Sequence, residues 1–308
     1  MIPNCFVVGA MKAGTTMLYE SLNRHDEVFC CPIKEPNHFC SDINQSSFAP
    51  YYADELADPL CSTGSNPVHA HASHVDDYDT YIELFKQAKG ESVIAEFSTS
   101  YLYSSKAAEN IFHMNSQARV IIMLRNPIER AFSEYLMNRW IGKESRTFKD
   151  AVAYEMKHED LGWGQKPGLY VEAGLYTKQV ARFLAVFPAS QVKVLFTDSF
   201  ASNFQGSMRA TCDFLSIPIN ELVLTQIQAN EKKKSKFFLI NKVLYMTGLK
   251  KKITSIVPNR LKRKLKKFWY SNDTERISME DKNMMRGYFK EDIIQLEHLL
   301  SVDLSHWK

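Results

Sequence analysis

The stretch NCFVVGAMKAGTTMLYESLN, residues 4–23, decides the fold. Its first half is a short apolar run rich in Val and Phe that ends at Gly9, the pattern of a buried strand. From Thr16 to Asn23, Leu18 and Leu22 stand four residues apart, and Thr15 or Thr16 is available to cap the first turn, which predicts a helix. Between them, GAMKAGTT (9–16) holds two glycines, a lysine and two threonines. Glycines let backbone N–H groups approach an anion closely, the helix N-terminus adds partial positive charge and Lys12 supplies a full one. Strand, glycine loop and helix together read as a phosphate cradle; the plainer reading is a turn whose glycines serve packing alone. The pattern GxxxxGK[ST] sets lysine directly after the second glycine. Here Lys12 precedes Gly14 and no lysine adjoins Thr15, which disfavours an ordinary ATPase or GTPase.

A second anion segment follows later, in VIIMLRNPIERAFSEY (120–135). Arg125 closes an apolar run, Pro127 suits the first turn of a helix, and Ile128, Phe132, Tyr135, Leu136 and Trp140 recur at helical spacing. Arg125 and Ser133 can then converge on one phosphate at a strand's carboxyl edge, where α/β sheets bind ligands; a salt-bridged arginine and a helix-surface serine are the alternative. Two anion sites suggest a nucleotide carrying two separate phosphates. SVIAEFS and QVKVLFTD read as further strands, DTYIELFKQA and YTKQVARFLAVF as helices, and VFCCPIKEPNHF, with Pro32 and Pro36 around Lys34 and Glu35, as an extended loop. Residues 41–79 read as a long polar surface excursion. Strands alternating with helices over residues 1–200 predict an α/β fold with a mainly parallel sheet flanked by helices. The last hundred residues predict helix, with Met284, Tyr288, Ile293, Leu296 and Leu300 near one stripe. Nothing marks a boundary, so one domain over 1–308 is expected.

Composition narrows the class. The chain has 308 residues, 45% apolar and 24% charged. It has no apolar run of membrane-spanning length and no secretory start, so a cytoplasmic protein is expected. Its six cysteines show neither zinc-ligand spacing nor a disulfide framework, which predicts buried thiols. Residues 232–267 hold fourteen Lys or Arg and no Asp or Glu, leaving 24 basic against 35 acidic residues elsewhere. Such a block concentrates anions, whether nucleotide, acidic polymer or membrane surface.

Together these segments resemble the PAPS-dependent sulfotransferases (PAPS, 3′-phosphoadenosine-5′-phosphosulfate), in particular the branch that includes heparan sulfate sulfotransferases and bacterial relatives. FVVGAMKAGTT is similar to that family's 5′-phosphosulfate loop and VIIMLRNPIERAFSEY to its 3′-phosphate segment. IKEPNHF resembles its K-E-P-x-F loop, GLYTKQVARFLAVFP its mid-chain helix, and YFKEDIIQLEHLLSVDLSHW its C-terminal helix. The resemblance implies a P-loop-like three-layer fold. It implies that Lys12, Ala13, Gly14, Thr15 and Thr16 hold the 5′-phosphosulfate, with Lys12 also catalytic, and that Arg125 and Ser133 hold the 3′-phosphate. Glu35 would be the general base, with His38 the second choice, and Lys234 in the NEKKKSK loop would touch the nucleotide. PAPS is the implied co-substrate, with no metal. The implied acceptor is a hydroxyl or amine, as on a glycan, lipid or small metabolite, and no nucleic acid partner is expected. The chain departs from the family's E-K-[ST]-P-x-Y segment at Phe97 and Thr99, and it lacks the heparan branch's cysteine-bracketed K-G-R loop.

Two other function classes compete: a nucleotide kinase or NTPase with a variant phosphate loop, and a non-catalytic binder of anionic polymers using 232–267. His69, His71 and His74 read as solvated loop histidines rather than a metal site. NRLKRKLKKFWY reads as a helix covering the core rather than a membrane-docking one. Trp163 and Tyr170 suit either an acceptor channel or an anchored surface loop.

Overall fold

The computed structural model describes residues 1–53, 56–62, 70–225, 234–235, 270–271 and 275–308. In chain order the strands are β1 Cys5–Gly9, β2 Val28–Cys30, β3 Ile33–Glu35, β4 Ala70–Ala72, β5 Val93–Phe97, β6 Arg119–Leu124 and β7 Val192–Phe196. The longer helices are α1 Thr15–Leu22, α2 Tyr78–Glu83, α3 Ala107–Met114, α4 Pro127–Ile141, α5 Phe148–Lys157, α6 Tyr176–Val186, α7 Phe204–Leu215 and α8 Met279–Leu300.

Five strands form one parallel sheet in the order β2-β5-β1-β6-β7, flanked by helices. Every residue of β1 and β5 is buried, and so is β6 beyond Arg119. Unbroken apolar runs are what a parallel sheet covered on both faces demands. The chain leaves β1 toward β2, then crosses from β5 over β1 to β6. The crevice outside the carboxyl ends of β1 and its neighbours is therefore where such a sheet accepts a ligand.

The helix after Pro127 forms as expected. Asn126 caps it, its side chain accepting from the N–H groups of Ile128 and Glu129, and Gly142 ends it at φ 96°. Ile128, Phe132 and Tyr135 are buried, whereas Leu136 and Trp140 are only half-buried. Arg130, Glu134 and Asn138 take up the rest of the buried face.

Four expectations need correction. Neither Thr15 nor Thr16 caps α1: Gly14 occupies the cap position in the left-handed region at φ 95°, without a side-chain cap. The segment around Lys34 is no plain loop, because β2 and β3 lie within it, and the excursion 41–79 contributes β4, which pairs with β3 in parallel (Ile33 with Ala70, Glu35 with Ala72). The buried stripe of α8 runs through Met285, Phe289, Ile293 and Leu296, while Tyr288 is exposed. Contact with α6 selects that face: Asp292 accepts from the Tyr176 N–H at 2.7 Å and the Thr177 N–H at 3.2 Å, capping α6. The basic block 232–267, including NRLKRKLKKFWY, lies outside the described residues. Only the main chain of Lys234 and Ser235 is described, paired antiparallel with Tyr270 and Ser271.

Candidate functional site

Four loops meet at the carboxyl edge of the sheet. The loop after β1 carries Lys12 and Gly14, that after β6 carries Arg125, and Thr99 and Thr197 follow β5 and β7. Gly14 needs its positive φ to turn the chain into α1, and a side chain there would be strained even though a Cβ would have room, meeting Met123 Cε at 3.6 Å in ordinary contact. Gly9 has no such space, since a Cβ would come within 2.8 Å of Leu102 Cβ. The Thr197 hydroxyl lies 2.6 Å from the Ala13 carbonyl oxygen and 3.0 Å from that of Leu124, pinning the loop after β1 to the end of β6.

Lys12 and Arg125 share this crevice. The Arg125 guanidinium donates to the Lys12 carbonyl oxygen at 3.4 Å and to Glu129 Oε2 at 2.9 Å. The Lys12 ammonium rests 3.4 Å from Met137 Sδ. Glu129, Ser133 and Met137 recur every fourth residue on α4, so they form one stripe of that helix. Ser133 thus sits between the residue that holds Arg125 and the residue that holds Lys12. Burial lowers Lys12 from the usual lysine value; Glu134 and Glu35 oppose the shift, and Arg125 and Lys34 add to it. Arg125, Lys34 and Glu35 therefore lie close enough for their charges to act on Lys12.

Glu35 ends β3. Its Oε1 accepts from the Lys34 ammonium at 2.7 Å and its Oε2 from the Thr99 hydroxyl at 2.8 Å. Burial pushes this carboxyl up, but Lys34, His71 and the two hydrogen bonds outweigh it and hold it below the ordinary glutamate value. His38 is placed differently. Its ring stacks on Tyr81 at 4.1 Å, and Nδ1 lies 2.6 Å from the Val75 carbonyl oxygen. Burial lowers its pKa, against the Val75 contact. Both of its strong contacts are structural, so the histidine anchors the loop that Glu35 begins.

That loop hangs from a buried carboxyl. Glu96, at 0% exposure, accepts from the Tyr81 hydroxyl at 2.6 Å and the Ser98 hydroxyl at 2.8 Å. Ser98 Oγ in turn accepts the Asn37 N–H at 3.1 Å, and the Asn37 amide donates to the Glu35 carbonyl at 2.9 Å. Also on α4, buried Arg130 pairs with Glu134 at 2.8 Å and donates to the carbonyls of Leu169 and Tyr170, which fixes α4 against the loop that follows α5.

Sequence reading passed over several of these residues. Thr99 was noticed only as a departure, and Thr197 not at all, although both follow strands at the ligand edge. His71 lies on β4, beside the strand carrying Glu35, rather than in a plain loop; His74 pairs with Asp76 at 3.2 Å, and His69 is outside the described residues. Among the described residues no three His, Cys, Asp or Glu side chains gather to hold a metal. Trp163 lines a narrow gap with Asn37, Phe48, Tyr52 and Ser100 that leaves no room for a small molecule, its indole donating to the Tyr52 hydroxyl at 2.7 Å. Tyr170 is buried at 1% exposure, so it belongs to the core and lines no channel. The Lys234 side chain lies outside the described residues. Among the described residues no helix is long and apolar enough to cross a membrane.

A parallel sheet with a glycine-lysine loop after its central strand and an arginine after the next defines an α/β anion-binding class. Within that class the assignment is direct: the model of the sulfotransferase domain family matches residues 3–295, and the chain belongs to that family. Human carbohydrate sulfotransferase 15 is 23% identical over 254 residues, covering 71% of this chain and 45% of its own length. Mouse heparan sulfate glucosamine 3-O-sulfotransferase 5 is 24% identical over 219 residues, covering 70% and 54%. The chain spans about half the length of these curated relatives. A sulfotransferase from Alicyclobacillus acidocaldarius matches in structure with a TM-score of 0.68 at 26% identity, covering 100% of this chain and 99% of that one.

Proposed function

We propose that the protein transfers the sulfuryl group of PAPS to an acceptor hydroxyl or amine. The observation that carries this reading is the convergence of Lys12 and Arg125 on either side of Ser133, with the charge of Glu35 acting on Lys12. Two cationic contacts in one crevice suit a nucleoside with phosphates at its two ends. Lys12 and the N–H groups of Gly14, Thr15 and Thr16 are assigned to the 5′-phosphosulfate, Arg125 and Ser133 to the 3′-phosphate, and Glu35 to the base.

In the reaction the acceptor oxygen forms a bond to sulfur while the bond from sulfur to the 5′-phosphate oxygen breaks. The bonding pair leaves with that phosphate, giving 3′-phosphoadenosine 5′-phosphate (PAP), and the acceptor proton goes to the Glu35 carboxylate. Charge grows on the leaving phosphate, where each preorganised donor typically contributes ~3–4 kcal/mol. A positioned base typically adds about 10²–10⁴ in rate. Relatives named for carbohydrate and heparan sulfate glucosamine support a glycan acceptor. The five described cysteines are free and buried, which supports action in a reducing compartment such as the cytoplasm.

Incubation with sulfur-labelled PAPS and a panel of glycans, lipids and phenols, read by mass spectrometry, tests the proposal. A glycan gaining one sulfuryl group is the expected result. No labelled acceptor, together with magnesium-dependent ADP binding, would favour a nucleotide kinase instead.

A further inference from the structure

Lys34 lies on β3 beside the assigned base and is 5% exposed. Among the described residues its ammonium makes one hydrogen bond, to Glu35 Oε1 at 2.7 Å. An ammonium has three N–H donors, and a buried one with a single partner keeps capacity for another anion. Glu35, which holds it, also accepts from the Thr99 hydroxyl at 2.8 Å, and the Thr99 carbonyl lies against Gly9 at the start of the Lys12 loop; the charges of Lys34 and Glu35 both act on Lys12, so the Lys34–Glu35 pair lies beside that loop. β5 supplies no cation: Phe97, at its end, is fully buried with its ring 5.1 Å from that of Tyr19. A buried ion pair is weak evidence for a stabilising role, because desolvation offsets much of the attraction. This pair also costs the base its basicity, since Lys34 is the largest influence holding the Glu35 carboxyl down against burial. A base neutralised this way gains strength only when its cation is drawn elsewhere, and a sulfonate arriving beside it is a partner of the right charge.

Resting on the sulfotransferase reading, we propose that Lys34 is a further substrate-binding cation: stored on Glu35 in the free protein, its ammonium moves to the sulfonate oxygens of the bound donor and so releases Glu35 to take the acceptor proton. No covalent bond involves Lys34. Sulfur passes from the 5′-phosphate oxygen to the acceptor as before, and the ammonium keeps its protons throughout. Because PAP lacks the sulfuryl group, Lys34 discriminates donor from product, unlike Lys12 or Arg125, whose phosphates are common to both.

The test is calorimetric titration of PAPS and of PAP, without acceptor, into the wild-type protein, Lys34→Met and Lys34→Arg. Lys34→Met should lower the ratio of PAPS to PAP affinity about tenfold while PAP affinity itself stays within about twofold. Lys34→Arg should keep most of the ratio. Since Lys34→Met leaves a buried carboxylate unpaired, the double variant Lys34→Met/Glu35→Gln is measured alongside and should show the same loss. An unchanged ratio, or equal weakening of both nucleotides, overturns the role given to Lys34 while leaving the transferase reading intact. Wild-type protein that binds neither nucleotide overturns both.

Discussion

Glu129 should act as a brake on nucleotide binding, and Glu129→Gln should release it. In the free protein Arg125 donates to Glu129 Oε2 through Nη2 at 2.9 Å and through Nε at 3.3 Å, so a 3′-phosphate must compete with a carboxylate already in place. The magnitude follows from exposure. Arg125 is 16% exposed but Glu129 is 52% exposed, so the pair is largely solvent-screened. Such pairs contribute roughly 0.2–1 kcal/mol, which converts to a gain of roughly 1.4- to 5-fold in PAP affinity when the competing charge is removed. Calorimetric titration of PAP into both proteins reads this directly, and the difference should narrow at high salt as screening weakens the pair. Adenosine 5′-monophosphate, without a 3′-phosphate, should bind the two proteins alike. Weaker PAP binding by Glu129→Gln, or an equal gain for the monophosphate, would refute the competition.

Other consequences are as definite. Thr197→Val removes the hydroxyl beside the Ala13 and Leu124 carbonyls; denaturant unfolding should show a loss of about 1–2 kcal/mol, and PAP affinity should fall severalfold as the loop after β1 loses its pin. Unchanged affinity at reduced stability would confine Thr197 to the fold. Burial pushes Glu96 up to about 7 despite hydrogen bonds from Tyr81, Tyr101 and Ser98. A carboxyl raised in the folded state holds its proton there after the unfolded chain has lost it. Its contribution is therefore full below about 4.5 and is lost as pH rises to about 7, a change on the order of 3 kcal/mol. Glu96→Gln should flatten that part of the stability profile, and parallel profiles for variant and wild type would contradict it.

The sequence was most readable where burial is continuous. β1 and β6 are apolar runs and β5 is one but for Glu96 because both faces of the sheet are covered, and α4 announces itself through Pro127 and the helical spacing of Ile128, Phe132 and Tyr135. The β3–β4 pair could not be read: IKE and AHA are three residues each, too short for an alternation to stand out, and only backbone pairing across a polar excursion makes them strands. The face of α8 was misplaced because a 22-residue helix with apolar residues at neighbouring positions offers two stripes, and the choice falls to its contact with α6 through Asp292.

At the site, Lys12 and Arg125 were visible because glycine loops and strand-end arginines have local signatures. Thr99, Thr197 and Lys34 act through partners distant in sequence or through a neighbour's chemistry, and a hydroxyl or ammonium alone in a sequence does not reveal which loop it will meet. The surroundings of Glu35 and His38 likewise needed coordinates. The stacking of His38 on Tyr81 and its bond to the Val75 carbonyl are tertiary contacts with no sequence pattern behind them.

The division of one nucleoside between two cations is tested most directly by comparing PAP with adenosine 5′-monophosphate on Arg125→Met and Lys12→Met. The advantage of PAP over the monophosphate should vanish in Arg125→Met and survive, at lower overall affinity, in Lys12→Met. If Arg125→Met weakened both nucleotides by the same factor, Arg125 would not be reading the 3′-phosphate, and the paired-site account would be wrong.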